Sequence, residues 1–292
     1  MYKATLAMCG AVLLWASSGS ASKLALEHLS VAEGAAFRIV GAAVVLWFIG
    51  VIVLRRNFRL NGPRPLIMGI LEPAMVTFFI MAGVAQTSAV NAAVVWGIMP
   101  VTQPLMARIF LKEPIQTSVV FGATLAVAGT ILLFVTKQQD GTGTLTGDLL
   151  LLCAVASASI NQMLARTVAK RDQNPLVTTS YQLLAASLVA LIFLALNQPA
   201  GGIYTDVPTS LTPIMALLIV TTAGPFFLYN FAMQAMPIGR VSLFAPLSGP
   251  IGAVIATVVF SEPLHAVIIL ALAMSLSGAL APALAGRWRA LW

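Results

Sequence analysis

The chain is a succession of apolar blocks about twenty residues long, enough for each to cross a ~30 Å hydrocarbon core as a helix. The blocks predict ten spans, over residues 3–26, 31–54, 65–85, 88–111, 115–136, 147–169, 175–197, 210–235, 239–260 and 264–285. Charged and Pro/Gly-rich joints separate them. The clearest are Arg55-Arg56-Asn57-Phe58-Arg59, Gly141-Thr142-Gly143-Thr144, Lys170-Arg171-Asp172-Gln173-Asn174-Pro175 and Asn197-Gln198-Pro199-Ala200-Gly201-Gly202. Ten spans with short loops take up nearly all of the 292 residues and leave no room for a sizeable soluble domain.

Composition supports this reading. Hydrophobic residues make up 59% of the chain and charged residues 9%, where soluble domains carry roughly 25% charged. The mean hydropathy is +0.96. A net charge of +7 raises the question of nucleic acid. However, the basic residues sit at the ends of apolar blocks, and no basic helix carries interleaved aromatics, so a nucleic-acid partner is excluded. Thirteen of the 16 Lys and Arg residues fall at the N-terminus, on alternate loops or at the C-terminus: Lys3, Arg55, Arg56, Arg59, Arg64, Arg108, Lys112, Arg166, Lys170, Arg171, Arg240, Arg287 and Arg289. Only Lys23, Arg38 and Lys137 belong to the other side. The positive-inside rule then predicts a multi-pass cell-membrane protein (plasma or bacterial inner membrane) with both termini cytoplasmic. Lys3, the run 4–16 and Ser20-Ala21-Ser22 have the outline of a signal peptide. A counterpart later in the chain makes them a retained helix instead. Cys9 and Cys153 each lie inside a block, form no disulfide or metal spacing, and read as small buried hydrophobes. His28 and His265 fall in predicted outer loops and read as solvated surface residues.

The two halves repeat at an offset near 150. Ala82 falls on Ala232 and Pro100 on Pro250, and Glu113-Pro114 matches Glu262-Pro263. Glu72-Pro73 with Phe78 and Phe79 lies over Gly224-Pro225 with Asn230 and Phe231, and Gly129 over Gly278. Five spans per half is an odd number, so the second half would enter the membrane from the opposite side. The expected fold class is therefore an all-α membrane protein, with ten transmembrane helices as two inverted five-helix repeats, residues 1–139 and 140–292, around a central cavity. That arrangement places a substrate site near the bilayer midplane between the halves.

A set of short motifs in order, covering nearly the whole chain, carries a family resemblance. It comprises Leu14-Trp15-Ala16-Ser17, Phe37-Arg38, Thr87-Ser88-Ala89, Pro100 and Leu111-Lys112-Glu113-Pro114 in the first half. The second half adds Ala232-Met233-Gln234 through Pro237, Pro250 and Ser261-Glu262-Pro263. The chain resembles the drug/metabolite transporter superfamily of the type with two EamA domains. The resemblance implies a basket of helices in which spans one to four and six to nine line a cavity and spans five and ten lie outside. It also implies export of amino acids, nucleotide-related metabolites or small drugs. One departure is that no arginine in the second half matches Arg38; the seventh span opens with Ser180-Tyr181-Gln182.

Glu72 stands about seven residues into the third span, hence roughly 10 Å deep. An acid there is costly unless protonated, paired or facing water, and marks function by default. Arg38 stands about seven residues from the opposite face. It either anchors the second span by bonding carbonyls or holds a substrate carboxylate. Polar and aromatic residues in the same spans, namely Trp15, Asn91, Trp96, Gln103, Asn161, Gln162, Tyr181, Tyr229 and Asn230, join these two as cavity candidates; any one of them could equally bond between helices. Pro73, Pro100, Pro104, Pro225, Pro246 and Pro250 lie inside spans, where each removes a backbone bond; they read as hinges or as packing kinks. Glu113 and Glu262 read as carboxylates favouring the start of a Pro-initiated helix. Gly122, Ala126, Gly129, Ser275 and Gly278 permit close helix contact, either for packing or as a dimer face through spans five and ten.

No paired acids, zinc motif, nucleophile with base or Walker A loop is present, so neither an enzyme, a metal site, a cofactor nor ATP-driven pumping is expected. The expectation is a secondary transporter of small neutral or zwitterionic metabolites, amino acids foremost. Drug or nucleoside efflux, or a non-transporting membrane binder, is the alternative.

Overall fold

The computed structural model describes residues 2–55, 58–84, 86, 99–135, 144–171, 173–198, 202–204, 207–259 and 266–289. Among these residues every regular element is helical. The elements are α1 (Tyr2–Ala25), α2 (Val31–Trp47, extended by a π-helical turn Phe48–Val53), α3 (Arg64–Gly69), a π-helical turn Ile70–Met75 and α4 (Val76–Val84). There follow α5 (Met99–Leu111), α6 (Thr117–Val135), α7 (Leu145–Ala169), α8 (Pro175–Leu196), α9 (Thr212–Ala235), α10 (Ile238–Val241), α11 (Ser248–Val259) and α12 (Ala266–Arg289).

Seven helical stretches are long and apolar enough to cross a membrane: Tyr2–Ala25, Val31–Val53, Arg64–Gly83, Leu145–Ala169, Pro175–Leu196, Thr209–Ala235 and Ile238–Val259. Thr117–Gly129 and Ile269–Pro282 are shorter apolar helices. All nine fall on expected spans; the fourth expected span, 88–111, is described only over α5. The outer surface is apolar, with Leu13, Val44, Ile52, Ile109, Leu188 and Val258 all exposed. Hydrocarbon solvates such residues, so nothing drives them inward as water would.

Helices pair α1 with α9, α2 and α3 with α8, α4 with α7, and α6 with α12. Small residues set the closest approaches. A methyl added to Gly122 would sit 2.5 Å from the Gly278 carbonyl oxygen, and the reverse substitution meets the same distance. Gly129 likewise faces Ala271, Met274 and Ser275. The small-residue stripes of α6 and α12 are therefore filled by each other within one chain, not left as a free dimer face.

Two expected spans are broken. The third is interrupted at Glu72, whose backbone is extended (φ −148°, ψ 123°) between α3 and α4. Pro73 supplies no N–H there, and side chains bond the carbonyls around the break. Ser157 Oγ donates to Leu71 O at 2.9 Å, Gln182 Nε2 to Glu72 O at 2.9 Å and Thr77 Oγ1 to Pro73 O at 2.6 Å. The ninth runs as α10, a turn, the 3₁₀ turn Ala245–Leu247 and α11. Pro246 lies in the 3₁₀ turn and Pro250 in the first turn of α11, each without an N–H to continue the ladder. Ser248 Oγ donates to Ala245 O at 2.7 Å. Pro104 and Pro225 lie inside continuous α5 and α9, and Pro100 is the second residue of α5.

The expectation for Glu113 is corrected. α6 begins only at Thr117, so Pro114 does not start a helix. Glu113 reaches across the bundle instead. It accepts from Arg166 Nε at 2.7 Å and from the Ile238 N–H at 3.0 Å, and pairs with Lys170 at 3.2 Å. Glu262 lies outside the described residues. The cysteines are corrected too: Cys9 and Cys153 are unbonded and exposed, not buried. His28 is exposed in the turn after α1, and His265 is outside the described residues.

Candidate functional site

The break in the third span presents Glu72 to its neighbours. The Asn161 side-chain amide, from α7, donates to Glu72 Oε2 at 2.7 Å. Glu72 is only partly covered. Tyr229 of α9 lies close enough for its phenol to interact electrostatically with the Glu72 carboxyl. Tyr229 and Asn161 are buried, yet the Tyr229 hydroxyl and Asn161 Oδ1 have no hydrogen-bond partner among the described residues. A hydroxyl and an amide oxygen, both able to accept and both unpartnered among the described residues, therefore stand beside a membrane-embedded carboxylate.

An aromatic tier lies against this end. The Trp15 ring packs on Tyr229 with centroids 6.0 Å apart, and edge-to-face on Phe226, also at 6.0 Å. The tier belongs to the antiparallel seam between α1 and α9. That seam is tight because Gly224 gives its space to Leu14, and Gly10 to Leu228.

One helical turn further along the same seam stands Arg38. Its Nε donates to Thr222 Oγ1 at 2.8 Å, one terminal nitrogen to Ser18 Oγ at 2.6 Å and the other to Ser22 Oγ at 3.2 Å. Its partners are hydroxyls of α1 and α9 rather than the carbonyls expected of an anchor. Among the described residues no carboxylate pairs with it.

Asn230 bonds Thr179 Oγ1 at 3.0 Å and Gln182 Oε1 at 2.9 Å, while Gln182 also holds the Glu72 carbonyl. Asn230 thus braces the broken span through Gln182 instead of facing open space. Gln182 and Ser157 are positioning residues that the sequence reading missed. Polar side chains in apolar spans are the available signal, and Gln182 lies next to the cavity candidate Tyr181. Tyr181 itself stands apart from Glu72. Its hydroxyl donates to Phe58 O at 3.0 Å and its ring packs on Trp47 at 5.2 Å, where it closes down the loop after α2. Among the described residues Gln103 is fully buried with neither amide atom bonded, and Gln162 is buried with its Oε1 unpartnered. Asn91 and Trp96 lie outside the described residues.

The bundle is fastened at both ends. At the end bearing Arg64, Lys112, Arg166, Lys170 and Arg240, the Glu113 cluster ties the α5–α6 loop to α7 and to the N-terminus of α10. Burial alone would push the Glu113 carboxyl up; hydrogen bonds from Arg166, Ile238 and Lys170 and the charge of Arg166 hold it below the ordinary carboxylate range. At the other end Glu33 forms a capping box with Ser30 and accepts from the Tyr204 N–H at 2.6 Å. The Tyr204 hydroxyl donates to Glu33 O at 3.0 Å. Among the described residues no group of three or more His, Cys, Asp or Glu could hold a metal.

Comparison with known proteins agrees with this architecture. A solved structure matches with a TM-score of 0.84 at 18% identity, covering 97% of each chain, which shows a shared fold. The uncharacterized transporter YyaM of Bacillus subtilis is 25% identical over 230 residues, covering 76% of this chain and 75% of its own. The uncharacterized transporter YetK of the same organism is 24% identical over 285 residues, covering 94% and 85%. An uncharacterized transporter of Methanothermobacter thermautotrophicus is 21% identical over 273 residues, covering 87% and 78%. The model of the EamA-like transporter family matches residues 2–135 and again 145–281, and the chain belongs to that family.

Proposed function

We propose that the protein is a secondary transporter that moves small neutral or zwitterionic metabolites, amino acids foremost, out of the cytoplasm by alternating access. The observation that carries this reading is Glu72. It is a carboxylate inside a membrane span, placed where the helix is broken, held by one amide and still partly open. Intramembrane acids of this kind mark substrate or ion pathways.

In this reading the chain is ten spans in two inverted repeats, 1–139 and 140–292, with both termini cytoplasmic. The helix pairs support it. Counted as spans, the first packs on the eighth, the third on the sixth, the second on the seventh and the fifth on the tenth. Exchanging each span with the one five places away returns the same set, as a two-fold relation between halves requires. The distribution of Lys and Arg supports the orientation. The prolines at Pro100, Pro104, Pro246 and Pro250 serve as hinges, and Pro73 and Pro225 bend the spans that line the site.

The test is counterflow in proteoliposomes against amino acids, nucleosides and cationic drugs. Amino acids are expected to exchange, and Glu72→Gln is expected to lower their flux at least tenfold at unchanged protein level. Wild-type flux through Glu72→Gln would remove the acid from the mechanism. Exchange of drugs or nucleosides alone would replace the substrate class, and binding without flux of any compound would end the transporter reading. Cysteines introduced at 141–144 should label from outside the cell; labelling only from the cytoplasm would invert the topology.

A further inference from the structure

We infer that the transport site reads charge at two ends: Arg38, in its cradle of hydroxyls, takes the carboxylate of the cargo, and Glu72, Asn161 and Tyr229 take its ammonium group. This rests on the transport reading above and adds which groups recognise which part of the molecule.

Arg38 carries a fixed positive charge within a membrane span. Ser18, Ser22 and Thr222 hold its guanidinium in place but bring no negative charge. A guanidinium has five N–H donors. The three bonds to hydroxyls leave two donors for an incoming anion, and a carboxylate matches such a fork. The cradle orients the fork without neutralising it, which a structural anchor would not need.

The opposite end has the complementary chemistry. A primary ammonium has three N–H donors and no acceptor. Beside Glu72 lie two buried acceptors without partners among the described residues, Asn161 Oδ1 and the Tyr229 hydroxyl oxygen. With the carboxylate they supply three acceptors for three donors. The Trp15 and Tyr229 rings add a face suited to a cation.

The two ends share one seam. Ser18 lies one turn beyond Trp15 on α1, and Thr222 one turn before Phe226 on α9. Thr222 and Tyr229 are seven residues apart, so the two ends are about 10 Å apart along the helix axis. Two charge-assisted bonds of about 2.8 Å leave roughly 4 Å for the cargo's own charge separation. An α- or β-amino acid fits that interval. A dipeptide, with about 3.5 Å more chain, exceeds it.

The experiment loads proteoliposomes with a ¹⁴C-labelled amino-acid mixture and measures efflux against excess external unlabelled mixture. Parallel arms replace the mixture by amino-acid amides, which keep only the amine, and by N-acetyl amino acids, which keep only the carboxylate. Wild type should move the zwitterions at least tenfold faster than either analogue. Arg38→Gln should lose zwitterion flux at least tenfold while sparing the amides, and Arg38→Lys should restore part of it. Glu72→Gln should show the reverse preference, sparing the N-acetyl compounds, so the test survives if the Arg38 variant fails to assemble. Equal flux of zwitterions and amides in wild type, or wild-type zwitterion flux in Arg38→Gln, overturns the inference while leaving a transporter. Absence of flux in wild type for every amino acid, nucleoside and drug tried overturns the transport reading itself.

Discussion

Glu113→Gln should unfasten one end of the bundle. The carboxylate is 9% exposed and its partner Arg166 13%, so the pair is largely shielded from water. Lys170 is 47% exposed and contributes as a rim charge, under about 1 kcal/mol. Breaking one member of a buried pair costs about 3–5 kcal/mol, because the other charge stays behind uncompensated. Glutamine keeps an oxygen that can still accept from the Ile238 N–H, so the expected loss lies near the lower bound, about 3 kcal/mol. That is roughly a hundredfold in the folded-to-unfolded ratio. The pH dependence has a definite sign. The native carboxyl titrates below its ordinary range, so its stabilisation is complete above about pH 4.3, the unfolded value, and is lost as pH falls through the lowered native value. The assay is reversible unfolding of wild type and variant in mixed detergent micelles across pH 3–8, read by circular dichroism. The variant should trail wild type by a constant amount above pH 5 and converge with it in acid. A variant within about 0.5 kcal/mol of wild type at pH 7, the scatter typical of surface changes, would refute the claim that this cluster fastens the helices.

Two further outcomes follow from the backbone. Pro100→Ala with Pro250→Ala should lower turnover in the counterflow assay several-fold while leaving substrate affinity within about twofold; unchanged turnover would make these prolines static kinks. Gly69→Ala should sharply lower the yield of folded protein, because its added methyl would run into the Gln182 backbone carbonyl and push α3 off α8. Gly19→Ala, with nothing within 4 Å of the added methyl, should be neutral or gain up to about 1 kcal/mol from helix propensity. Equal yields for the two alanine variants would contradict the close α3–α8 approach.

The spans were legible because hydrocarbon selects for length and apolarity, and both are local properties of the sequence. What each span does with its polar residues was not local. Tyr181 and Tyr229 look alike on the page, yet one bonds the loop after α2 and the other borders Glu72, because the face a residue occupies depends on which helices pack around it. Glu113 precedes a proline and so resembles a helix start; its partners Arg166 and Ile238 lie 53 and 125 positions away. Cys9 and Cys153 were expected inside on the habits of water-soluble cores. A lipid-facing surface is as apolar as an interior, so a small hydrophobe gains little by burial. The prolines marked where ladders would fail, but not which side chains would satisfy the carbonyls; Ser157, Gln182 and Ser248 do so from positions with no proline signal of their own.

The two proline steps in the middle of spans three and eight separate structural need from function. At Gly224-Pro225 the space beside the step is filled by Leu14, so close that a methyl on Gly224 would lie 2.6 Å from its Cδ1. At Glu72-Pro73 the neighbour is Asn161, bonded to the carboxyl at 2.7 Å. The first solution is apolar and brings no polar side chain to the step. The second puts an acid and an amide inside the membrane and leaves Asn161 Oδ1 without a partner among the described residues. If a proline step in this bundle needed only to be packed, glycine against leucine would suffice, since the chain already uses it once. A carboxylate and amide at the other step therefore answer to something besides the fold. The nearest unmet chemistry is the pair of acceptors at Asn161 and Tyr229, which an ammonium donor would complete.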